Sequence, residues 1–141
     1  MAAGYSGTPL AKKLGIKDGH DVAVLHEPAE FRGLLEGLPE GVQFVEHPAS
    51  RSGGADSPDV SVAFFIERAD LERDLDALAQ AAFPDRTIWL AWPKKTSGVE
   101  TDLTGDVVRE VVLATKLVDV KVCAISEVWS GLKVVWRKEH R

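Results

Sequence analysis

The stretch Thr87–Thr104, TIWLAWPKKTSGVETDLT, decides the fold. Its first half reads as a β-strand ending at Pro93. Ile88, Leu90 and Trp92 fall on one face and Trp89 and Ala91 on the other, because side chains alternate along a strand. Apolar residues on both faces mean that both faces are covered, the mark of a parallel sheet in an α/β domain. A polar loop headed by Lys94 and Lys95 follows, and Thr104 opens a helix.

Upstream, Leu71, Leu75, Leu78, Ala79 and Ala82 form a helical stripe that Pro84 and Asp85 end. Asp59–Ile66, apolar on both faces, reads as a central strand, and Val42–Glu46 as a half-polar edge strand. Between them Pro48–Pro58, PASRSGGADSP, has the Gly, Ser and Pro content of a surface loop. Ala29–Leu35 places Phe31, Leu34 and Leu35 at helical spacing before Gly37 and Pro39. Asp21–His26 is a further interior strand. Thr8, Pro9 and Gly15 punctuate a short helix over Leu10–Leu14.

Downstream, Val108, Val111, Val112 and Thr115 share a helical face. Their β-branched side chains disfavour a helix, but a parallel crossover requires one here. Val118–Ile125 and Leu132–Arg137 are strands whose short connection makes them antiparallel neighbours. The expected architecture is one domain over residues 1–141, an α/β three-layer sandwich with a mostly parallel sheet and an antiparallel C-terminal strand. Right-handed crossovers put the first helix on one face and the later ones on the other.

With 45% hydrophobic and 28% charged residues, the chain has an ordinary globular composition. A net charge of -5 argues against general nucleic-acid binding, which needs a basic surface. The single cysteine, Cys123, leaves no internal disulfide and suits a reducing compartment. The longest apolar run, VSVAFFI, is far short of a membrane span, and the N-terminus lacks the apolar segment of a signal peptide. A cytoplasmic protein without a membrane segment is expected.

Through TPLAKKLGIK, AWPKKTSG, TDLT, DVKVCA and VWSGLK the chain resembles, over nearly its whole length, DUF3052, an actinobacterial family of unknown function. That resemblance implies no activity. The order of strands and helices is also similar to a shortened class I methyltransferase, a Rossmann-like domain whose last strand is likewise antiparallel. Such a fold does not carry function by itself. A nucleotide or adenosyl cofactor needs glycines after the first strand so that the backbone can approach it. The chain has HEPAEF there, His26–Phe31, with Glu27, Pro28 and Phe31 in the turn and no glycine before Gly33. The expectation is therefore that no cofactor binds, although Glu46 stands where a ribose-binding acid would.

Ligands of open α/β sheets sit outside the carboxyl ends of the strands. Lys94, Lys95, Thr96, Ser97 and Gly98 fall there, near the start of a helix, and suit a phosphate or carboxylate. The same lysines could instead keep a loop soluble or pair with Glu100 and Asp102. Trp129 and Lys133, from VWSGLK, are placed beside them as ligand contacts, with a core role for Trp129 as the competing reading. His26 and Glu27 could form an acid–base pair, but neighbours in a strand point to opposite faces. His20, His47 and His140 lack metal spacing, Cys123 reads as a buried small hydrophobe, and no nucleophile elbow is present. No catalytic residue and no metal ligand is assigned. The leading expectation is a non-catalytic protein that binds a small anionic metabolite or a protein partner at the carboxyl edge of the sheet. Its rivals are a divergent methyltransferase-like transferase and an interaction module that pairs through the edge strands Val42–Glu46 and Val118–Ile125.

Overall fold

A computed structural model describes residues 8–35, 37–46 and 57–141; the loop expected over Pro48–Pro58 lies outside them except for its last two residues. The strands are β1 (Asp21–Leu25), β2 (Gln43–Val45), β3 (Val60–Phe64), β4 (Thr87–Pro93), β5 (Leu117–Ala124) and β6 (Trp129–Trp136). The helices are α1 (Leu10–Lys13), α2 (Arg68–Ala82) and α3 (Gly105–Leu113). One sheet runs in the order β2-β1-β3-β4-β6-β5. β1 to β4 are mutually parallel, and β6 inserts antiparallel between β4 and β5. The two strands expected at the edges are the edges.

The alternation along β4 sorts the core into two layers. Ile88, Leu90 and Trp92 pack with Leu71, Leu75 and Leu78 of α2 and with Val108, Val111 and Val112 of α3. Trp89 and Ala91 face the other way, toward Ala11, Leu14 and Phe31. Trp89 is fully buried, and its indole N–H donates to the Leu14 carbonyl at 2.9 Å. A buried indole needs such a partner, and this one fastens the N-terminal segment to the sheet.

Each long helix has a side-chain cap. Thr104 accepts from the Val107 N–H at 3.2 Å, a local N-cap that starts α3 despite its valines. Burial then compensates for the valines' weak helix preference, Val112 being wholly inaccessible. The first N–H of α2, that of Arg68, is taken by Asp102 at 2.8 Å, from the loop that follows β4. Thr101 donates to the Ile66 carbonyl in the same loop. The loop after β4 is thereby tied to the end of β3.

Two elements differ from expectation. The helix expected over Ala29–Leu35 is only one 3-10 turn, Arg32–Leu34. Pro28, Gly33 and Gly37 leave too few consecutive helix formers to offset the cost of nucleation. Strand β6 starts at Trp129 rather than Leu132. The Ser126 hydroxyl accepts from the N–H groups of Val128 and Trp129, each at 3.1 Å, and turns the chain early. Among the described residues, no helix is long and apolar enough to cross a membrane.

Candidate functional site

The strand order reverses at β1: one connection leads to β2 on one side, the next to β3 on the other. In open α/β sheets that switch point opens a crevice at the carboxyl ends. Directly after β1 comes His26, with φ 56, in the left-handed region that favours glycine. Its Nε2 is 2.8 Å from Asp74 Oδ2 on α2, and its ring meets Phe65 edge-on at 5.6 Å. Arg73 grips both oxygens of Asp74, each at 3.1 Å. The Arg73 hydrogen bonds hold the Asp74 carboxyl below the usual carboxylate range; partial burial opposes this and His26 reinforces it.

Below the turn, Phe31 is buried edge-on against Phe64 at 5.0 Å, and Phe64 in turn against Trp129 at 5.0 Å. Above it, Glu27 pairs with Arg32 at 2.8 Å, and the Arg32 guanidinium lies 4.2 Å from the centre of the Phe44 ring. A cavity of about 430 Å³ opens here, lined by Val24, Leu25, Arg32, Phe44, Val45 and Glu46. Its size suits a small organic ligand. Glu46, the first residue past β2, brings a carboxylate to its rim, about 20 residues beyond the end of β1 as in nucleotide-binding sheets.

The residues singled out from the sequence are only partly brought together. The Lys94 N–H donates to the Val128 carbonyl at 2.7 Å, and Pro93 is opposite Trp129, so the lysine loop adjoins the start of β6. Lys95–Ser97 is a 3-10 turn closed by Gly98 at φ 78. The Ser97 hydroxyl donates to the Lys94 carbonyl at 2.7 Å and accepts from Val99, so it serves the turn itself. Lys95 and Thr96 are both exposed, and Lys94 is half-buried. Asp102 caps α2, and neither it nor Glu100 pairs with a lysine among the described residues. Trp129 is 8% exposed and belongs to the core, so it does not present a stacking face to a ligand; its Nε1 has no partner among the described residues. Lys133 lies opposite Trp89 and Lys121 in mid-sheet, away from the rim.

His26 and Glu27 do not act as a pair, because the left-handed turn sends one to Asp74 and the other to Arg32. Sequence reasoning missed Asp74 and Arg32. Asp74 is 48 residues from His26, beyond any local pattern, and Arg32 sits in a segment that reads as an exposed helix face. Burial pushes the Cys123 thiol up, with Lys13 and Lys121 opposing, so the thiolate is scarce at neutral pH.

No family model matches the chain, DUF3052 included, and no curated protein is similar to it. Solved structures are similar in fold. DhpI in complex with SAH matches with a TM-score of 0.59 at 11% identity, over 92% of this chain and 83% of that one. The 1,6-didemethyltoxoflavin-N1-methyltransferase of Burkholderia thailandensis, with bound 1,6-didemethyltoxoflavin and S-adenosylhomocysteine, matches with 0.57 at 14%, over 92% and 75%. Magnesium protoporphyrin IX methyltransferase from Synechocystis, with bound SAH, matches with 0.55 at 11%, over 91% and 78%.

The expectation that no cofactor binds is corrected by these structures, all three of which share the fold and hold S-adenosylhomocysteine. The physical reason lies in side-chain direction. Phe31 points into the core and Glu27 sideways to Arg32, so the crowding inferred from HEPAEF leaves a cavity open beside the turn, between β1 and β2. The described residues form a mostly parallel α/β sheet of the S-adenosylmethionine-dependent methyltransferase fold, with the antiparallel β6 between β4 and β5.

Proposed function

We propose that this is a methyltransferase-like transferase domain, with an S-adenosyl cofactor in the cavity at the ends of β1 and β2. The observation that carries the reading is the position of Glu46 in a cavity that it lines together with Val24, Leu25, Arg32, Phe44 and Val45, in a sheet of this topology. A carboxylate accepts two hydrogen bonds at once, which matches the two neighbouring hydroxyls of a ribose. Val24, Leu25, Phe44 and Val45 give the apolar surroundings that suit a purine ring. The nucleoside half of the cofactor therefore fits the residues present. When bound, it would supply a methyl group on a positively charged sulfur for transfer to a nucleophile.

The loop Lys94–Gly98 lies on the same rim of the sheet, and we assign its two lysines to an anionic group of the acceptor or of a partner. The resemblance to DUF3052 adds no activity to this reading.

Calorimetry and thermal melting with S-adenosylhomocysteine test the proposal. A ligand at about 100 times its Kd stabilises by about 2.7 kcal/mol. Glu46→Gln removes a charged acceptor and is expected to weaken binding about 10- to 100-fold. No rise in Tm at millimolar ligand, or equal affinity in the Glu46→Gln protein, refutes the site.

A further inference from the structure

The two edges of the sheet are not alike. β2 is three residues long, and the Arg32 guanidinium lies over its Phe44. β5 is eight residues long, and among the described residues it pairs with β6 alone. A long outer strand leaves a row of backbone N–H and C=O groups without a strand partner. Val120, Lys121 and Val122 are consecutive and exposed along it, the valines at 51% and 47%. The register with β6 breaks at Val120, after which Lys121 is directly opposite Lys133 and Val122 opposite Leu132. The edge thus shows cations on one face and an apolar side chain on the other. Lys13 of α1 stands on the cationic face too, where it and Lys121 both act on the Cys123 thiol. Like charges directly opposite each other on a sheet repel, and neither Lys121 nor Lys133 has an acidic partner among the described residues. Residues 116–141 hold six Lys and Arg against three Asp and Glu, in a chain whose net charge is -5.

Three occupants can be compared. A second copy paired through β5 would add two more lysines to the same face, which repulsion opposes. A phosphate backbone would use the lysines but leave the valines and the strand edge in water. An extended acidic peptide uses all three features. We infer that β5 takes such a segment of a partner protein as an added outer strand, its acidic side chains on the Lys121–Lys133 face and its apolar ones beside Val122. The partner segment alternates Asp or Glu with an aliphatic residue, because a period of two sends the two kinds to opposite faces. Backbone hydrogen bonds along the edge hold it, and the lysines select its charge. β5 lies at the far end of the sheet from the cavity beside β2, so this inference is independent of the function proposed above.

The experiment is fluorescence anisotropy with a labelled peptide that alternates Glu and Val over eight residues, the length of β5. Three probes are compared with it: the same peptide with Lys in place of Glu, the same residues arranged as a Glu block and a Val block, and an RNA duplex. The unaltered protein is expected to bind the alternating acidic peptide about tenfold more tightly than either other peptide. Lys121→Glu is expected to weaken that binding about tenfold, since it turns an attraction into a repulsion at an exposed residue. In Lys121→Glu/Lys133→Glu the preference should pass to the Lys–Val peptide, a gain that misfolding cannot produce. Equal binding of the acidic and basic peptides, or of the alternating and blocked ones, overturns the inference. So does unchanged affinity in Lys121→Glu, or no binding of the acidic peptide by the unaltered protein. Preference for the RNA duplex over every peptide also overturns it and assigns the lysines to phosphate.

Discussion

Two turns leave the same rim of the sheet and are built on opposite principles. After β4, the turn itself follows local rules: Ser97 closes a 3-10 turn, Gly98 takes the left-handed conformation at φ 78, and Thr104 caps α3, while only Thr101 and Asp102, past the turn, reach Ile66 and Arg68. After β1, a histidine takes the left-handed conformation at φ 56, and only the 3-10 turn Arg32–Leu34 follows among the described residues before β2. That turn is held from a distance instead, by Asp74 on α2 and by Phe64 on β3. A turn held by its own caps can vary without disturbing the core. A turn held by tertiary contacts cannot, and a backbone conformation unfavourable for its residue persists only where the surroundings enforce it. In an α/β sheet such enforcement belongs beside the switch point, where the cavity is.

The sharpest way to break this comparison is Phe31→Ala. If the turn after β1 depends on its buried anchor, removing a ring that is 1% exposed should cost about 3–5 kcal/mol in chemical denaturation. It should also abolish binding at the cavity, because Arg32 is the next residue. A loss below about 1 kcal/mol would show that the turn holds itself.

Legibility in the sequence depended on whether the controlling contact is local. The period of two in Ile88–Trp92 and the apolar stripe of α2 come from residues that neighbour one another along the chain, so β4 and α2 follow from residue order alone. Thr104 and Gly98 announce their turn in the same way. Phe31, Leu34 and Leu35 give a helical spacing that fails, because spacing does not register the brevity of a segment confined by Pro28, Gly33 and Gly37. The cavity is half legible. Counting along the chain places Glu46 at a strand end, whereas it says nothing of the directions of Glu27 and Phe31, and those directions separate a blocked turn from an open one. Nearness in sequence to Trp129 suggests that Lys133 stands on the rim, yet a strand carries it several residues down the sheet.

A second test exchanges the two left-handed residues. Gly98→Ala places a Cβ where nothing lies within 4 Å, so only the backbone conformation is penalised, by about 1–2 kcal/mol. His26→Gly has the opposite first effect, releasing a comparable backbone cost, but it gives up the bond to Asp74, which for a partly exposed pair contributes about 0–1 kcal/mol. The expected result is a lower Tm for Gly98→Ala and a Tm unchanged or slightly raised for His26→Gly. A marked fall for His26→Gly would mean that the Asp74 contact outweighs the backbone and is the main tether of the turn.

The finest discrimination comes from pH. Asp74 is held below the usual carboxylate range, chiefly by Arg73 and with a contribution from His26. A carboxyl whose pKa is lower folded than unfolded contributes stability that is complete above the unfolded value, near 4, and disappears as pH falls through the folded value. The difference in stability between the unaltered protein and Asp74→Asn should therefore be constant at neutral pH and shrink on acidification below about pH 4. His26→Gly should reduce that difference only in part, since Arg73, which supplies the larger share, remains. If His26→Gly instead removes the acid-dependent difference completely, the tether runs through histidine alone. The turn after β1 would then depend on a single bond.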